Sequence, residues 1–531
     1  MHSDIYFISV VASRSTSYPL LTCDQEESAM EISSASSLLL LISFLCSAFF
    51  LFFKQRSPRG APANLAALKS YPVVGNLPHL VKNSHRILEW TTDLIPTSPT
   101  GTVTVAPFVF TANPANVEHV SKVRFANYPK SEPIILAIRD CLGRGVATTN
   151  GEEWRVQRKA ASHEFGTRSL RTFIHEKVCH ELLARLVPLL TRASRSGEVI
   201  DLQDVLERFA FDNTCSLAFD EDTMCLGGEG GEEGKRFFHA FEEASRLCVE
   251  RAKQPFPLVW RIKKWLHVGS ERRLQEAMEI VHGFVDRCMQ SRGNRPTGGQ
   301  DLLSRFTADG ANSDEFVHDN LISFVLAGRD TTPAALTWFF WILSSRPDVV
   351  AKIREETKRI RTRQPEENGG KLAFTMEELR EMNYLHAAIS ESLRLYPPVP
   401  MVPRDCLEED ELPDGHRMRR GWILMYNAYA MGRREAIWGP DCREFMPERW
   451  LDEEGVFQPK SSSVFPVFHT GPRTCLGKDM AYIQMKVVAA SILERFDMTV
   501  VEASGRHQLL MAMRMQGGLS VRLRERISGG M

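Results

Sequence analysis

Ten residues near the C-terminal end, Phe468 to Gly477 (FHTGPRTCLG), restrict this chain more than any other stretch. Gly471 and Gly477 allow tight turns and a close backbone approach to a flat ligand. After them, Met480, Ile483, Val487, Val488 and Ile492 recur at helical spacing, which predicts an amphipathic helix from Gly477 toward Phe496. Cys475 therefore stands just ahead of a helix N-terminus, where the dipole and the free amides favour an anionic sulfur. A thiolate so placed can be a nucleophile, a redox thiol or a metal ligand. The ordinary alternative is a buried neutral cysteine.

The other ten of the eleven cysteines are scattered, with no CxxC pair and no regular spacing. That argues against a zinc ribbon, a thioredoxin-like site and a disulfide framework. Reduced, buried thiols are expected for them. The formal net charge of -1 supplies no global field for a polyanion, so no nucleic-acid partner is expected. With 531 residues, 43% of them hydrophobic, the chain can bury a large core.

Ser37 to Phe53 (SLLLLISFLCSAFFLFF) carries no charge over seventeen residues, or nineteen counted from Ala35, near the roughly 20 that span a bilayer. Lys54 and Arg56 follow it, while Glu26, Glu27 and Glu31 precede it. This asymmetry predicts a single-pass anchor at 35–53 with the body on the cytosolic side, at the endoplasmic reticulum. A cleaved signal peptide fits less well, because the run is long, basic residues follow it and no small-residue cleavage site stands out. A start at Met30 would bring the anchor close to the N-terminus. Residues 1–34 are accordingly read as an N-terminal extension, with 1–29 as an upstream addition or alternative start. Prolines 58, 62, 72 and 78 make 54–78 a stiff hinge. Residues 79–531 follow as one large domain.

Helical periodicity dominates the body, at 152–164, 168–192, 201–218, 234–252 and 271–291. The longest helix is expected from Asp314 to Ser344, apolar nearly all round in its second half and so buried through the core. Thr375 with Glu378 forms a capping box opening a helix toward Leu395, which Pro397, Pro398 and Pro400 end. GGEGGEEG at 227–234 reads as an exposed loop. Strand-like segments are short: 102–111, 421–427 and 518–523. The class is mainly α with a small β part.

Four further motifs carry chemistry. AGRDTT (327–332) puts a charged pair and two threonines inside the longest helix, where apolar burial alone does not explain them. Thr331 can bond back to the preceding turn, and Pro333 removes a backbone donor, which suggests a local kink. ESLR places Glu391 and Arg394 on one helical face. FMPERW supplies Arg449, and WRVQR supplies Trp154 and Arg158. Arg404 and Arg473 are further arginines whose planar forks suit a carboxylate.

Phe468, Gly471, Arg473, Cys475 and Gly477 match FxxGxRxCxG, and this loop resembles the haem-thiolate loop of cytochromes P450. ESLR, Arg449, AGRDTT and WRVQR resemble that family's other motifs in the same order. The resemblance implies a single-domain cytochrome P450 fold behind a membrane anchor. It implies haem b as cofactor, with Cys475 as axial thiolate. Phe468 and Gly477 would border the haem, and Trp154, Arg158, Arg404 and Arg473 would approach its propionates. Glu391, Arg394 and Arg449 would brace the cysteine loop. Thr331 and Asp330 would deliver protons to the reacting oxygen. Thiolate ligation favours O–O cleavage. No flavin or nicotinamide domain is evident in the sequence, so electrons are expected from NADPH through NADPH–cytochrome P450 reductase, with cytochrome b5 as a second donor.

AGRDTTPAALTWFFWIL, SHRILEWTTDL and GEEWRVQRKAASHEF resemble plant terminal-carbon hydroxylases, a clan of fatty-acid ω-hydroxylases and jasmonoyl–amino acid hydroxylases. The hinge departs from the family's dense proline–glycine cluster. The expected activity is hydroxylation of a terminal C–H bond of a long-chain fatty acid or related lipid, an apolar small molecule. The alternatives are a jasmonoyl–amino acid conjugate, the terminal methyl of a sterol side chain, or, in another class, a non-catalytic haem-binding protein. Ile134, Ile135, Leu321, Val325, Val399 and Val402 are the expected pocket residues.

Overall fold

The computed structural model describes residues 75–526 apart from 167, 228–230, 255–256, 293–298, 309–311 and 364–372. The expected anchor at 35–53, the N-terminal extension and the hinge up to residue 74 lie outside the described residues. Among the described residues no helix is long and apolar enough to cross a membrane.

The central helix, Asp314–Leu343, runs unbroken through Pro333. Ser313 caps it by accepting from the Phe316 amide at 3.2 Å. Its second half is buried on every side, with Trp338, Phe339 and Phe340 among the largest enclosed side chains. The helix Leu202–Phe219 packs along it. The β part is small. One sheet runs Thr102–Val105, Phe108–Thr111, Ile423–Asn427, Met401–Asp405, with Phe108 opposite Ile423 in its parallel pair and Met401 opposite Asn427 in an antiparallel one. A second joins Val199–Asp201, Leu519–Glu525 and Phe496–Ala503.

Four local expectations are corrected. The stretch 168–192 is not one α-helix: Arg168–Glu181 passes through a π-turn, Leu182–Leu186, into Val187–Ser196. Pro188 has no N–H to give to the carbonyl four residues back, so the ladder widens there. The helix opened by the Thr375–Glu378 capping box stops at Glu381, and a second, Asn383–Leu395, begins. Glu356 caps that second start, accepting from the Tyr384 amide at 2.7 Å and the Leu385 amide at 2.9 Å. The expected loop at 227–234 is shorter, because a helix begins at Glu232. The helix after the cysteine, Lys478–Arg495, is not amphipathic: from Met485 to Leu493 every residue is buried. It sits among Asp314–Leu343, Asn383–Leu395, Pro347–Arg363 and Arg168–Glu181. Even Lys486 lies inside, its ammonium donating to the Leu379 carbonyl at 2.8 Å.

His386 lies beside the Lys478–Arg495 helix, stacked at 3.9 Å on Phe457 and 4.2 Å from Tyr482. Burial, helped by Lys486 and Lys478, pushes its imidazole from the ordinary 6.5 down to about 3. The unfolded chain therefore binds a proton below about pH 6.5 that the folded chain refuses until about pH 3. Stability must fall as pH drops through that window. His386→Phe is expected to flatten part of this acid limb in thermal unfolding; an unchanged slope would show that His386 is not among its sources.

Candidate functional site

Cys475 is held by its own loop. Its amide donates to the Phe468 carbonyl at 2.8 Å, and the Thr474 amide and hydroxyl both donate to the Gly471 carbonyl, at 3.0 and 2.8 Å. Gly471 has φ +70°, and an added Cβ would lie 2.0 Å from the Ser121 carbonyl oxygen. Only glycine fits there. Gly471→Ala is expected to destabilise the fold by more than the ~1–3 kcal/mol of a strained backbone, because the Ser121 backbone must also move. Thermal unfolding checks this; a loss under about 1 kcal/mol would mean the loop yields freely.

The Cys475 sulfur faces a cavity of about 430 Å³. It is deep in the body yet open to that space, which explains why its side chain is exposed while its protons feel burial. Burial pushes the thiol up, against the Gly477 amide, Arg158 and Lys478, which all pull it down. The helix-end setting thus lowers the thiol as expected, but in the protein alone burial outweighs it. A bound metal ion would reverse that balance, since a coordinating thiol is deprotonated outright. The other eight described cysteines do not line the cavity, and all nine are free thiols; Cys179 is half-buried rather than buried.

One end of the cavity is strongly cationic. Lys130, Arg158, Arg404 and Arg473 all line it, and among the described residues none has a carboxylate within 4.0 Å. Arg158 donates to the Thr474 carbonyl at 2.5 Å, and Lys130 to the Ala147 carbonyl at 2.6 Å. Arg473 donates to Asn150 Oδ1 at 2.8 Å and to the Thr149 carbonyl at 3.1 Å, and lies 4.2 Å over the Trp154 ring. Its Nε and Nη1 are buried without a partner. Burial and the crowding of Arg404 and Arg158 push Arg473 down to about 9. Lys130 is pushed well below its usual range by burial, then by Arg473, Arg404 and Arg158. Basic side chains without a carboxylate partner, one of them Arg473 with two idle donors, beside an apolar space fit a flat ligand carrying carboxylates at one edge.

The central helix also lines the cavity. Ala327, Gly328, Asp330 and Thr331 all line the space. The Thr331 hydroxyl donates back to the Ala327 carbonyl at 2.7 Å. Asp330 Oδ1 accepts from Arg329 Nη1 at 2.6 Å, and the buried Arg329 lies 4.7 Å over the Phe238 ring.

Glu391 and Arg394 are both fully buried. Arg394 clasps Glu391 through Nε and Nη2, each at 2.7 Å, and Arg449 Nε lies 3.3 Å from Glu391 Oε1. The Met446 amide and the Trp450 indole also donate to Glu391, both at 2.9 Å. Arg394 and Arg449 donate onward to the Cys442, Glu444, Trp438 and Asp441 carbonyls. These bonds tie Asn383–Leu395 to the segment that leads into the cysteine loop.

The nine expected site residues, Trp154, Arg158, Asp330, Thr331, Arg404, Phe468, Arg473, Cys475 and Gly477, all line this one cavity. Of the six expected pocket residues only Val399 and Val402 do. Ile135, Leu321 and Val325 are buried away from it, and Ile134 also lies off the wall. The apolar wall is instead built from Phe165, Leu217, Leu302, Phe324, Leu326 and Met511. Two residues had no signal in the sequence. Lys130 is brought in by a backbone bridge to Arg404. His469 has φ +60° and ψ −175°, a region that non-glycine residues rarely occupy. Its Nδ1 lies 3.2 Å from the Tyr426 hydroxyl, and burial with the four nearby cations pushes it down to about 3.

Residues 66–521 match the family model described as Cytochrome P450. The chain is 50% identical to cytochrome P450 CYP94D108 of Paris polyphylla, covering 90% of this chain and 94% of that one. It is 41% identical to cytochrome P450 94B1 of Arabidopsis thaliana, over 92% and 97% of the two chains. With cytochrome P450 94A1 of Vicia sativa the identity is 39%, over 87% and 91%.

Proposed function

The chain belongs to the cytochrome P450 family of haem-thiolate monooxygenases, and from that premise we propose that Cys475 supplies the axial thiolate for oxidation of a long-chain fatty acid or related lipid at its terminal carbon. The haem, when bound, supplies the activation of dioxygen and the oxidation of carbon. The residues present fit it. A thiol opens into a cavity that is also lined by the central helix and by Lys130, Arg158, Arg404 and Arg473, the last with two idle donors. Those four residues would hold the haem's propionates. Trp154 supports the Arg473 guanidinium, and Phe468 and Gly477 line the space beside the sulfur. An added Cβ at Gly477 would stand 4.0 Å from that sulfur.

The observation carrying the substrate reading is the separation of polarity within the cavity. Its charges are gathered at the edge that the propionates would take and at Asp330, leaving a wall of Phe165, Leu217, Leu302, Phe324, Val399 and Met511. Such a wall excludes water and guides an apolar chain end. Thr331 presents its hydroxyl to the same space, and Asp330 stands next to it as the proton source. The likeness to plant terminal-carbon hydroxylases supports the same reading.

Members of this family take electrons from a redox partner; here NADPH–cytochrome P450 reductase is proposed, with cytochrome b5 as a second donor. Residues 79–531 form the haem domain behind the 54–78 hinge and the 35–53 anchor, seated at the endoplasmic reticulum. The helix Pro257–Leu266 supports membrane seating, since it exposes Leu258, Val259, Ile262, Trp265 and Leu266 beside Lys263 and Lys264.

The test is product analysis from reductase-reconstituted enzyme given laurate, oleate, a jasmonoyl–amino acid and a sterol. Terminal hydroxy fatty acid is the expected product. Turnover of the conjugate or the sterol alone would overturn the substrate, and NADPH-independent behaviour with every compound would overturn the monooxygenase chemistry.

A further inference from the structure

The helix Lys478–Arg495 faces two cavities. Met480, Ala481, Gln484 and Met485 line the one that Cys475 opens into. Lys478, Asp479, Tyr482, Ile483 and Lys486 line a second, of about 420 Å³, which shares no lining residue with the first. The two sets are offset by two positions, about 200° around a helix, so one helix presents nearly opposite faces to the two spaces. The short helix Met376–Glu381 adds Leu379 and Arg380 to the second cavity, and Arg168–Glu181 adds Arg171. Phe457, Lys460 and Phe465 close it from the segment that leads into the cysteine loop.

The charges of this cavity are one-sided. Arg171, Arg380, Lys460, Lys478 and Lys486 line it against a single carboxylate, Asp479. Among the described residues Arg171, Lys460, Lys478 and Lys486 have no carboxylate within 4.0 Å, while Arg380 has Glu377 at 3.6 Å. Lys486 is the enclosed member, 6% exposed, and its bond to the Leu379 carbonyl uses one of three N–H donors. Glu356 acts on it from beyond 4.0 Å, its own oxygens accepting from the Tyr384 and Leu385 amides. A buried ammonium with spare donors and no carboxylate beside it is costly. The rest of the wall is apolar: Leu379, Phe457, Phe465 and Ile483, with His386, uncharged at neutral pH, against Phe457 and Tyr482.

We propose that this second cavity binds a small organic anion, a carboxylate carried on a short apolar body. The carboxylate gives Lys486 the counter-charge that the fold withholds and accepts from its spare donors. The exposed Arg380, Lys460 and Lys478 draw the anion to the mouth. Leu379, Phe457, Phe465 and Ile483 take the apolar body, and an inorganic anion offers nothing to that wall. Because the site lies on the other face of the helix that follows Cys475, its occupant leaves the catalytic cavity free and does not compete with substrate. It borders the cysteine loop at two points: Tyr482 lies 5.3 Å from Phe468, and Trp450, which also lines the site, donates to Glu391 at 2.9 Å.

The test is equilibrium dialysis of 2-naphthoate against haem-loaded full chain in lipid nanodiscs, with empty nanodiscs as the blank. Clotrimazole, an uncharged azole, fills the catalytic cavity, and its own binding is followed on the haem spectrum. Saturable binding of one 2-naphthoate per chain is expected with the azole in place. The uncharged 2-naphthamide should bind about tenfold more weakly, since it loses the charge-assisted bonds. Lys486→Met should weaken 2-naphthoate by about the same factor. Ile483→Trp, which fills the space and keeps every charge, should abolish its binding. No saturable binding, or displacement of 2-naphthoate by the azole, would overturn the proposal. Equal affinity for the amide would do the same, as would displacement by inorganic phosphate at the concentration at which benzoate displaces. Binding that Arg380→Gln and Lys460→Gln abolish but Ile483→Trp leaves intact would reduce the site to a charged surface patch and overturn it too. If Lys486→Met or Ile483→Trp fails to fold, the comparison of acid with amide on the wild type decides.

Discussion

Replacing Cys475 with serine is expected to abolish NADPH-dependent product formation and the red-shifted carbon-monoxide band of the reduced enzyme, while leaving the fold largely intact. The reason lies in what the sulfur touches. Its side chain interacts with the Gly477 amide and feels Arg158 and Lys478, but packs into no apolar cluster. A serine hydroxyl keeps the size and the amide contact, so little packing is lost. It is not ionised at neutral pH and does not donate electron density as a thiolate does, which is the property that favours O–O cleavage. Circular dichroism and thermal unfolding should move by less than the spectrum does. A variant that retained the red-shifted band would place the ligand on another cysteine, and none of the other described cysteines borders the cavity.

The second large effect is expected at Glu391. Glu391→Ala leaves Arg394, 0% exposed, without its carboxylate, and also strips partners from the Met446 amide and the Trp450 indole. Breaking a buried pair by removing one partner costs about 3–5 kcal/mol, because the surviving charge cannot return to water. The intact pair is weak evidence of net stability by itself; its loss is what is expensive. Since Arg394 and Arg449 also hold the carbonyls of Trp438, Asp441, Cys442 and Glu444, the damage should reach the cysteine loop. Little haem-loaded protein is expected, with a lowered unfolding midpoint. Arg394→Lys should fail similarly, because an ammonium cannot reproduce the two-nitrogen clasp. A Glu391→Ala protein that held haem normally and unfolded within about 1 kcal/mol of wild type would show that Arg449 and the backbone suffice.

Much of this site is legible in the sequence because its residues are fixed by backbone chemistry. Gly471 must be glycine where φ is positive, Thr375 and Glu378 close a capping box within four residues, and Glu391 and Arg394 share a helical face through spacing alone. The wall of the cavity was far less legible. Leu321 and Val325 have the right character but pack into the core, whereas Phe324 and Leu326, their neighbours along the central helix, face the space. A helix that is apolar all round carries no periodic signal to say which side meets a cavity. Lys130 was unreadable for a related reason: it is brought to the cavity by Arg404, more than a hundred residues away.

The sequence by itself determined the ligand chemistry. Five residues in ten around Cys475, together with the separate motifs at 154–158, 327–332, 391–394 and 445–450, are local patterns whose spacing fixes backbone and side-chain direction without reference to the rest of the fold. Only the tertiary structure decided where charge accumulates. It set four basic side chains against the cavity edge without a carboxylate, and it buried the Lys478–Arg495 helix on every side from Met485 to Leu493. Burial and electrostatic coupling depend on the sum of distant neighbours, and that sum exists only once the chain has folded.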